Sequence, residues 1–174
     1  MGVLMQDTDA FTSFVRENTS ALLGTAYLLT GDAIAAEELV QRTLVHLYPK
    51  WDKVVAAEAP LAYVRRSVAN AFINERRSPA SREFAVDVIP DVGVPDVATA
   101  RIADRDEIWT LLRQLPERQR AALVLRYFHD LPDAEIADAL HCRAGTVRSL
   151  ISRGLSAMRE QAERADAAAS GGVS

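Results

Sequence analysis

Apolar side chains return every third or fourth residue along most of this chain, and nowhere do they alternate in the two-residue rhythm of a half-buried strand. That spacing restricts the fold to packed helices. From Phe11 to Thr30, the residues Phe11, Phe14, Val15, Leu22, Ala26 and Leu29 fall largely on one stripe, and Gly31 stands where a C-cap glycine would end the helix. Asp32 can cap the next helix, which carries Ile34, Ala36, Val40, Leu44, Leu47 and Trp51 at three- and four-residue steps. Its polar face is left for a partner. Pro60 suits the first turn of a third helix running to about Arg77, with Leu61, Val64, Val68 and Phe72 inward. These three helices form one expected bundle over residues 5–80.

The composition then changes. Between Phe84 and Glu107 six acids (Asp87, Asp91, Asp96, Asp104, Asp106, Glu107) face two arginines, and Pro90, Gly93 and Pro95 break any helix in the first half. An acidic flexible linker is expected over 81–100, with a merely solvated connector as the competing reading. Helical spacing returns with Ile102, Ile108, Trp109, Leu112 and Leu115, and resumes after Pro116 with Ala121, Val124, Leu125 and Phe128. The expected fold is therefore all-α, with two small helical domains joined by the linker: the second spans 101–162, and a disordered tail fills 163–174. A length of 174 residues accommodates two such units.

Within the second unit, "LPDAEIADALHCRAGTVRSLISRGL" fits a helix-turn-helix. A short helix from Pro132 to Leu140 offers Ile136, Ala137 and Leu140 for packing. After a tight connection at 141–143, a longer helix offers Val147, Ile151, Leu155 and Met158. With those inward, Arg148, Ser149, Ser152 and Arg153 share the opposite face, and Leu150 borders it. From His141 to Arg159 this stretch holds four arginines and no acid, in a chain whose formal net charge is −4. A helix of this diameter fits the DNA major groove, where Arg pairs bidentately with guanine and Ser holds phosphates. An Arg-rich face alone is usually a solvated surface; the packing pattern and tight turn shift the reading to nucleic acid. Pro132 and Arg143 supply no ordinary side-chain cap, and Arg at a helix start opposes the macrodipole. A phosphate beside Arg143 would offset that cost.

Other chemistries find little support. His46, His129 and His141 are scattered, no glycine-rich phosphate loop occurs, and His141 with Cys142 lacks metal-site spacing, so no catalytic group, metal or cofactor is expected. No run approaches the roughly 18 apolar residues of a membrane span. The N-terminus lacks the basic and apolar regions of an export signal. A single cysteine allows no intrachain disulfide and fits a reducing cytoplasm.

Three segments together carry a family likeness: "AYLLTGDAIAAEELVQRTLVHLYPKW" (26–51), "PLAYVRRSVANAFINERR" (60–77) and "LPERQRAALVLRYFHDLPDAEIADALHCRAGTVRSLISRG" (115–154). In order and spacing the chain resembles an extracytoplasmic-function sigma factor of the sigma-70 family, of the compact actinobacterial type. The resemblance implies an N-terminal unit that docks on the RNA polymerase clamp helices and opens the minus-10 element, and a C-terminal unit that reads the minus-35 element. By motif position it implies polymerase docking through Glu38, Leu39 and Gln41. It implies minus-10 contacts from Tyr63, Arg66, Asn70 and Arg77, whose shared stripe suits a separated strand, with core packing the competing role for Tyr63. Minus-35 contacts would come from Arg126, Thr146, Arg148, Ser149, Ser152 and Arg153, with Arg143 on the backbone. The implied partners are core RNA polymerase and promoter DNA, with room for an anti-sigma factor, and the acidic linker resembles the segment that follows the RNA path. Arg42, Tyr63 and Leu150 depart from the family's usual acid, Trp and Arg. A helix-turn-helix regulator acting without polymerase, and a degenerate sigma factor serving as an interaction protein, stay open as alternatives.

Overall fold

The computed structural model describes residues 2–75 and 108–170, which form helices α1 (Gly2–Thr30), α2 (Ala33–Leu47), α3 (Trp51–Val55), α4 (Pro60–Glu75), α5 (Glu117–Tyr127), α6 (Asp133–Ala139) and α7 (Ala144–Ser170). A 3₁₀ turn, Tyr48–Lys50, joins α2 to α3, and residues 108–112 are also helical. No strand occurs among the described residues. The linker expected over 81–100 and the candidate Arg77 lie outside them.

Local chemistry sets the boundaries. Gly31 adopts φ +74°, a left-handed conformation that glycine enters without penalty, and its N–H closes α1 on the carbonyl of Tyr27 at 2.7 Å. One residue later the Asp32 carboxylate accepts from the N–H of Ala35 at 2.8 Å, capping α2. α1 begins at Gly2, well before the Phe11 start that the apolar stripe suggested. At the other end the expected tail is helical through Ser170. Ala162, Ala165, Ala167 and Ala168 are strong helix formers, and Arg164 pairs with Glu160 one turn back.

In the first unit, Phe11, Val15, Leu22, Ala26 and Leu29 of α1 bury against Leu39, Val40, Leu44 and Leu47 of α2 and Val64, Val68 and Phe72 of α4. Phe11 and Phe14 meet the Trp51 ring edge-on at centroid distances of 4.9 and 5.0 Å. Ile34, expected on the inner stripe, is instead 70% exposed at the open end of α2.

The second unit does not stand apart from the first. Ala121 to Leu125 are five consecutive buried residues, so α5 is covered all round, by α7 on one side and by α1 and α4 on the other. Close approach makes this possible. Gly154 brings α7 so near that a Cβ there would stand 2.8 Å from Leu123 Cδ1. Leu155, expected to pack, is left partly exposed.

Where the units meet, Arg120 is buried. Its guanidinium donates to the carbonyls of Leu29 (2.6 Å), Leu112 (3.1 Å), Leu115 (3.2 Å) and Arg113 (3.3 Å). It also lies 4.7 Å from the Trp109 ring centroid and 5.9 Å from that of Phe72. The Trp109 indole covers Gly31 directly, leaving no room for a Cβ. Gly31→Ala would therefore meet both the left-handed backbone penalty and the indole. It should cost at least about 2 kcal/mol in urea unfolding, whereas Gly145→Ala, with open space around it, should be neutral or slightly stabilising.

Candidate nucleic-acid interface

The turn between α6 and α7 is built from backbone. The N–H of His141 reaches the carbonyl of Asp138 (3.3 Å) and that of Cys142 reaches Ala137 (2.9 Å), while His141 takes φ +48°. This pair of bonds with a left-handed residue satisfies the last carbonyls of α6 and turns the chain sharply. Arg143 then offers its carbonyl to the N–H groups of Thr146 (2.9 Å) and Val147 (3.1 Å), starting α7. Ile136, Ala137, Leu140 and Val147 are buried between the two helices. Arg118 donates to the carbonyl of Leu140 at 2.7 Å, tying the end of α6 to α5.

With that inner face filled, Arg143, just before α7, and Thr146, Arg148, Ser149, Ser152 and Arg153 on it are all exposed. Ser149 donates to the carbonyl of Gly145 at 3.2 Å, which keeps its hydroxyl close to the helix. Leu150 is half-buried against the core, so it belongs more to the packing side than its sequence position suggested. Arg126 reaches this region from the last turn of α5 and pairs with Asp133; the other oxygen of that carboxylate lies 3.3 Å from Arg148 Nε.

The stripe on α4 has a different environment. Tyr63, Arg66 and Asn70 are half-buried, and Arg66 and Asn70 reach side chains of the helix-turn-helix. Arg66 donates to the Glu135 carboxylate on α6 while its guanidinium carbon lies 5.8 Å from the Tyr63 ring centroid. Asn70 Nδ2 is 3.0 Å from His141 Nε2, at the turn itself. Residues expected to touch one promoter element are thus held by side chains of the unit expected to touch the other.

On α2, Glu38 and Gln41 are exposed together with Glu37 and Arg42. Leu39 departs from expectation. It is buried on the stripe of Ala36, Val40 and Thr43, so its side chain serves the core and is not part of that face.

Side chains with no sequence signature complete the arrangement. Glu135 and Asp133 read in the sequence only as first-turn acids of α6, and Arg120 only as one more charge on a helix; the spacing of Arg126 and Asp133 across a turn was the one available hint. Between the units, His129 Nε2 lies 2.9 Å from Thr25 Oγ1. Burial, reinforced by the nearby charge of Arg65 and opposed in part by a backbone bond at Phe128, lowers the His129 pKa to about 4. No described helix is long and apolar enough to cross a membrane.

Two family models match the chain: "Sigma-70 region 2" over residues 14–82 and "Sigma-70, region 4" over residues 105–158. It is 35% identical to the RNA polymerase sigma-E factor of Streptomyces avermitilis, over 90% of this chain and 87% of that protein. With the ECF RNA polymerase sigma factor SigL of Mycobacterium tuberculosis it shares 31% identity, over 82% and 83% of the two chains. Among solved structures it is similar in fold to the sigma factor RpoE of Bartonella quintana in complex with the anti-sigma factor NepR, with a TM-score of 0.59, 22% identity and coverage of 94% and 98%. CnrH in complex with the cytosolic domain of CnrY gives 0.61 at 18% identity, covering 92% and 94%.

The depressed His129 pKa has a definite sign. Between pH 6.5 and 4 the unfolded chain binds a proton there that the folded chain refuses, so this contribution to stability is complete above pH 6.5 and is lost as pH falls toward 4. Thermal unfolding across that window should show a steeper loss in the native protein than in His129→Gln, and the two profiles should run parallel above pH 7.

Proposed function

The chain belongs to the sigma-70 family, as an extracytoplasmic-function RNA polymerase sigma factor that directs polymerase to specific promoters, and from that premise we propose how its two helical units share the work. The C-terminal unit, taken as residues 101–162, reads the minus-35 element with α7 in the major groove. Arg148 and Arg153 meet base edges, Thr146, Ser149 and Ser152 line the same face, and Arg143 and Arg126 take phosphates. The N-terminal unit, taken as 5–80, engages the separated minus-10 strand with Tyr63, Arg66, Asn70 and Arg77, an aromatic and cations suited to stacked bases and phosphates. Glu38 and Gln41, on the exposed face of α2, dock on core polymerase. The acidic segment 81–100 follows the polymerase's RNA path.

The observation that carries this reading is the two-sidedness of α7. One side is packed through Val147 and Gly154, and the other exposes Arg143, Thr146, Arg148, Ser149, Ser152 and Arg153 with no acid until Glu160. In a net-negative protein that concentration of positive charge suits a polyanion. The reading also accounts for the contacts of α4. While Glu135 holds Arg66 and His141 stands against Asn70, both units cannot meet promoter DNA at once. Polymerase, by seating each unit separately, parts them.

Sigma factors are initiation factors and not generally catalysts; we read none of the histidines here as catalytic, and we place the protein in the cytoplasm with the polymerase. An anti-sigma factor is a further partner, of the kind to which the similar RpoE structure is bound.

Mobility shifts on a mapped promoter test the proposal. Tight binding should require core RNA polymerase; an isolated chain that bound one promoter tightly at physiological salt, with nothing gained from polymerase, would overturn it. In the holoenzyme, Arg148→Ala and Arg153→Ala should each cost about 1–3 kcal/mol of promoter affinity and relax base preference. Arg159→Ala, beyond the reading face, should cost less.

A further inference from the structure

We propose that Asp133 is a specificity-determining positioning residue, whose carboxylate aims the Arg148 guanidinium at a base edge. The inference rests on the minus-35 reading of α7 and goes beyond it, since neither charge nor motif position singles out an acid for that role.

Asp133 opens α6 directly after Pro132, at the root of the helix-turn-helix. Its two oxygens are divided between two helices. Oδ1 accepts from Arg126 Nη2 at the end of α5, and Oδ2 lies 3.3 Å from Arg148 Nε on α7. The exposures are graded: the Asp133 and Arg126 side chains are 29% and 31% accessible, and Arg148 is 72%. The carboxylate therefore stands as an ion-pair partner beside the base of the Arg148 guanidinium, whose tip is left in solvent. Only Nε is engaged, and neither terminal nitrogen of Arg148 has a partner among the described residues. Those terminal groups form the fork that meets guanine O6 and N7.

An untethered arginine on a DNA-facing helix serves phosphate and base alike, because its long side chain swings between them at little cost. An ion pair at Nε biases that freedom before binding and favours one direction of the fork. A carboxylate at the same place also disfavours a neighbouring phosphate, so it weakens binding in non-specific registers. Two guanidinium groups against one carboxylate leave the cluster net positive, and attraction to DNA survives.

The test uses holoenzyme and a mapped promoter whose minus-35 element is randomised, with bound sequences counted. Arg148→Ala should flatten preference at one base pair. Asp133→Asn, nearly isosteric, should flatten the same base pair by roughly threefold to tenfold, with binding to unrelated duplex unchanged or stronger. Combining the two substitutions should give the profile of Arg148→Ala alone. A melting temperature close to that of the native protein would separate this effect from loss of fold. Should Asn unfold the unit, Asp133→Glu, which keeps the charge and displaces it by a methylene, is judged by the same base-pair criterion. Preference left intact while affinity rises for every sequence would make Asp133 a mere competitor for the arginines, and an even loss across all positions would make it structural; either overturns the proposal. If Arg148→Ala alters no base pair, the base-reading role of Arg148 itself fails, and this assignment falls with it.

Discussion

Arg120 is the interaction on which the arrangement of this protein turns. A buried guanidinium is tolerated only when its donors are used, and here they gather carbonyls from the last turn of α1 and from the residues following the 108–112 helix. The Leu29 carbonyl is one of the groups that a helix end leaves without an intrahelical partner, and it carries the negative end of that helix's dipole, whereas the Leu112 carbonyl also accepts from the N–H of Leu115 at 3.0 Å. One side chain thus ties the end of α1 to the end of the 108–112 helix while two aromatic rings, Trp109 and Phe72, lie against it. The left-handed turn at Gly31 belongs to the same construction, since only a residue without a side chain lets the indole lie over the end of α1.

Helix type, order and most caps were legible in the sequence because each is a local matter. Asp32, Gly31 and Pro60 act through bonds within a few residues of themselves, and a three- to four-residue apolar step reports one helix's own buried stripe. What lies between helices left weaker traces. Nothing in the alternation of α5 announces that Ala121 to Leu125 are all covered, because a second covering surface, supplied by α1 and α4, is remote in sequence. Leu39 misled for a related reason: motif position put it among Glu38 and Gln41, but helical geometry turns it by about 100° from Glu38 and about 160° from Gln41, and into the core. The tail expected over 163–174 is helical through Ser170, where the helix propensity of its alanines prevails.

The exposed face of α7 was legible for the opposite reason: absence of acid from Ala144 to Arg159 is visible without any knowledge of contacts. Its counter-charges were not. Asp133 and Glu135 lie in the first turn of α6, where acids are favoured by the helix dipole, and that ordinary explanation hides their second use. Two residues apart, they turn toward different units, one toward Arg126 and Arg148 and the other toward Arg66. A short helix thereby links both sets of candidate DNA contacts.

The all-round burial of α5 has a thermodynamic corollary. Parting the units strips α1 and α4 from one side of it, so the open chain carries an apolar surface that water does not favour. Any partner that needs the open form binds with an affinity reduced by the small fraction of molecules that have already opened. A partner that covers the newly bared side of α5 recovers that loss. Discrimination between partners can therefore arise from how well each shields the apolar middle of α5, Ala121 to Leu125.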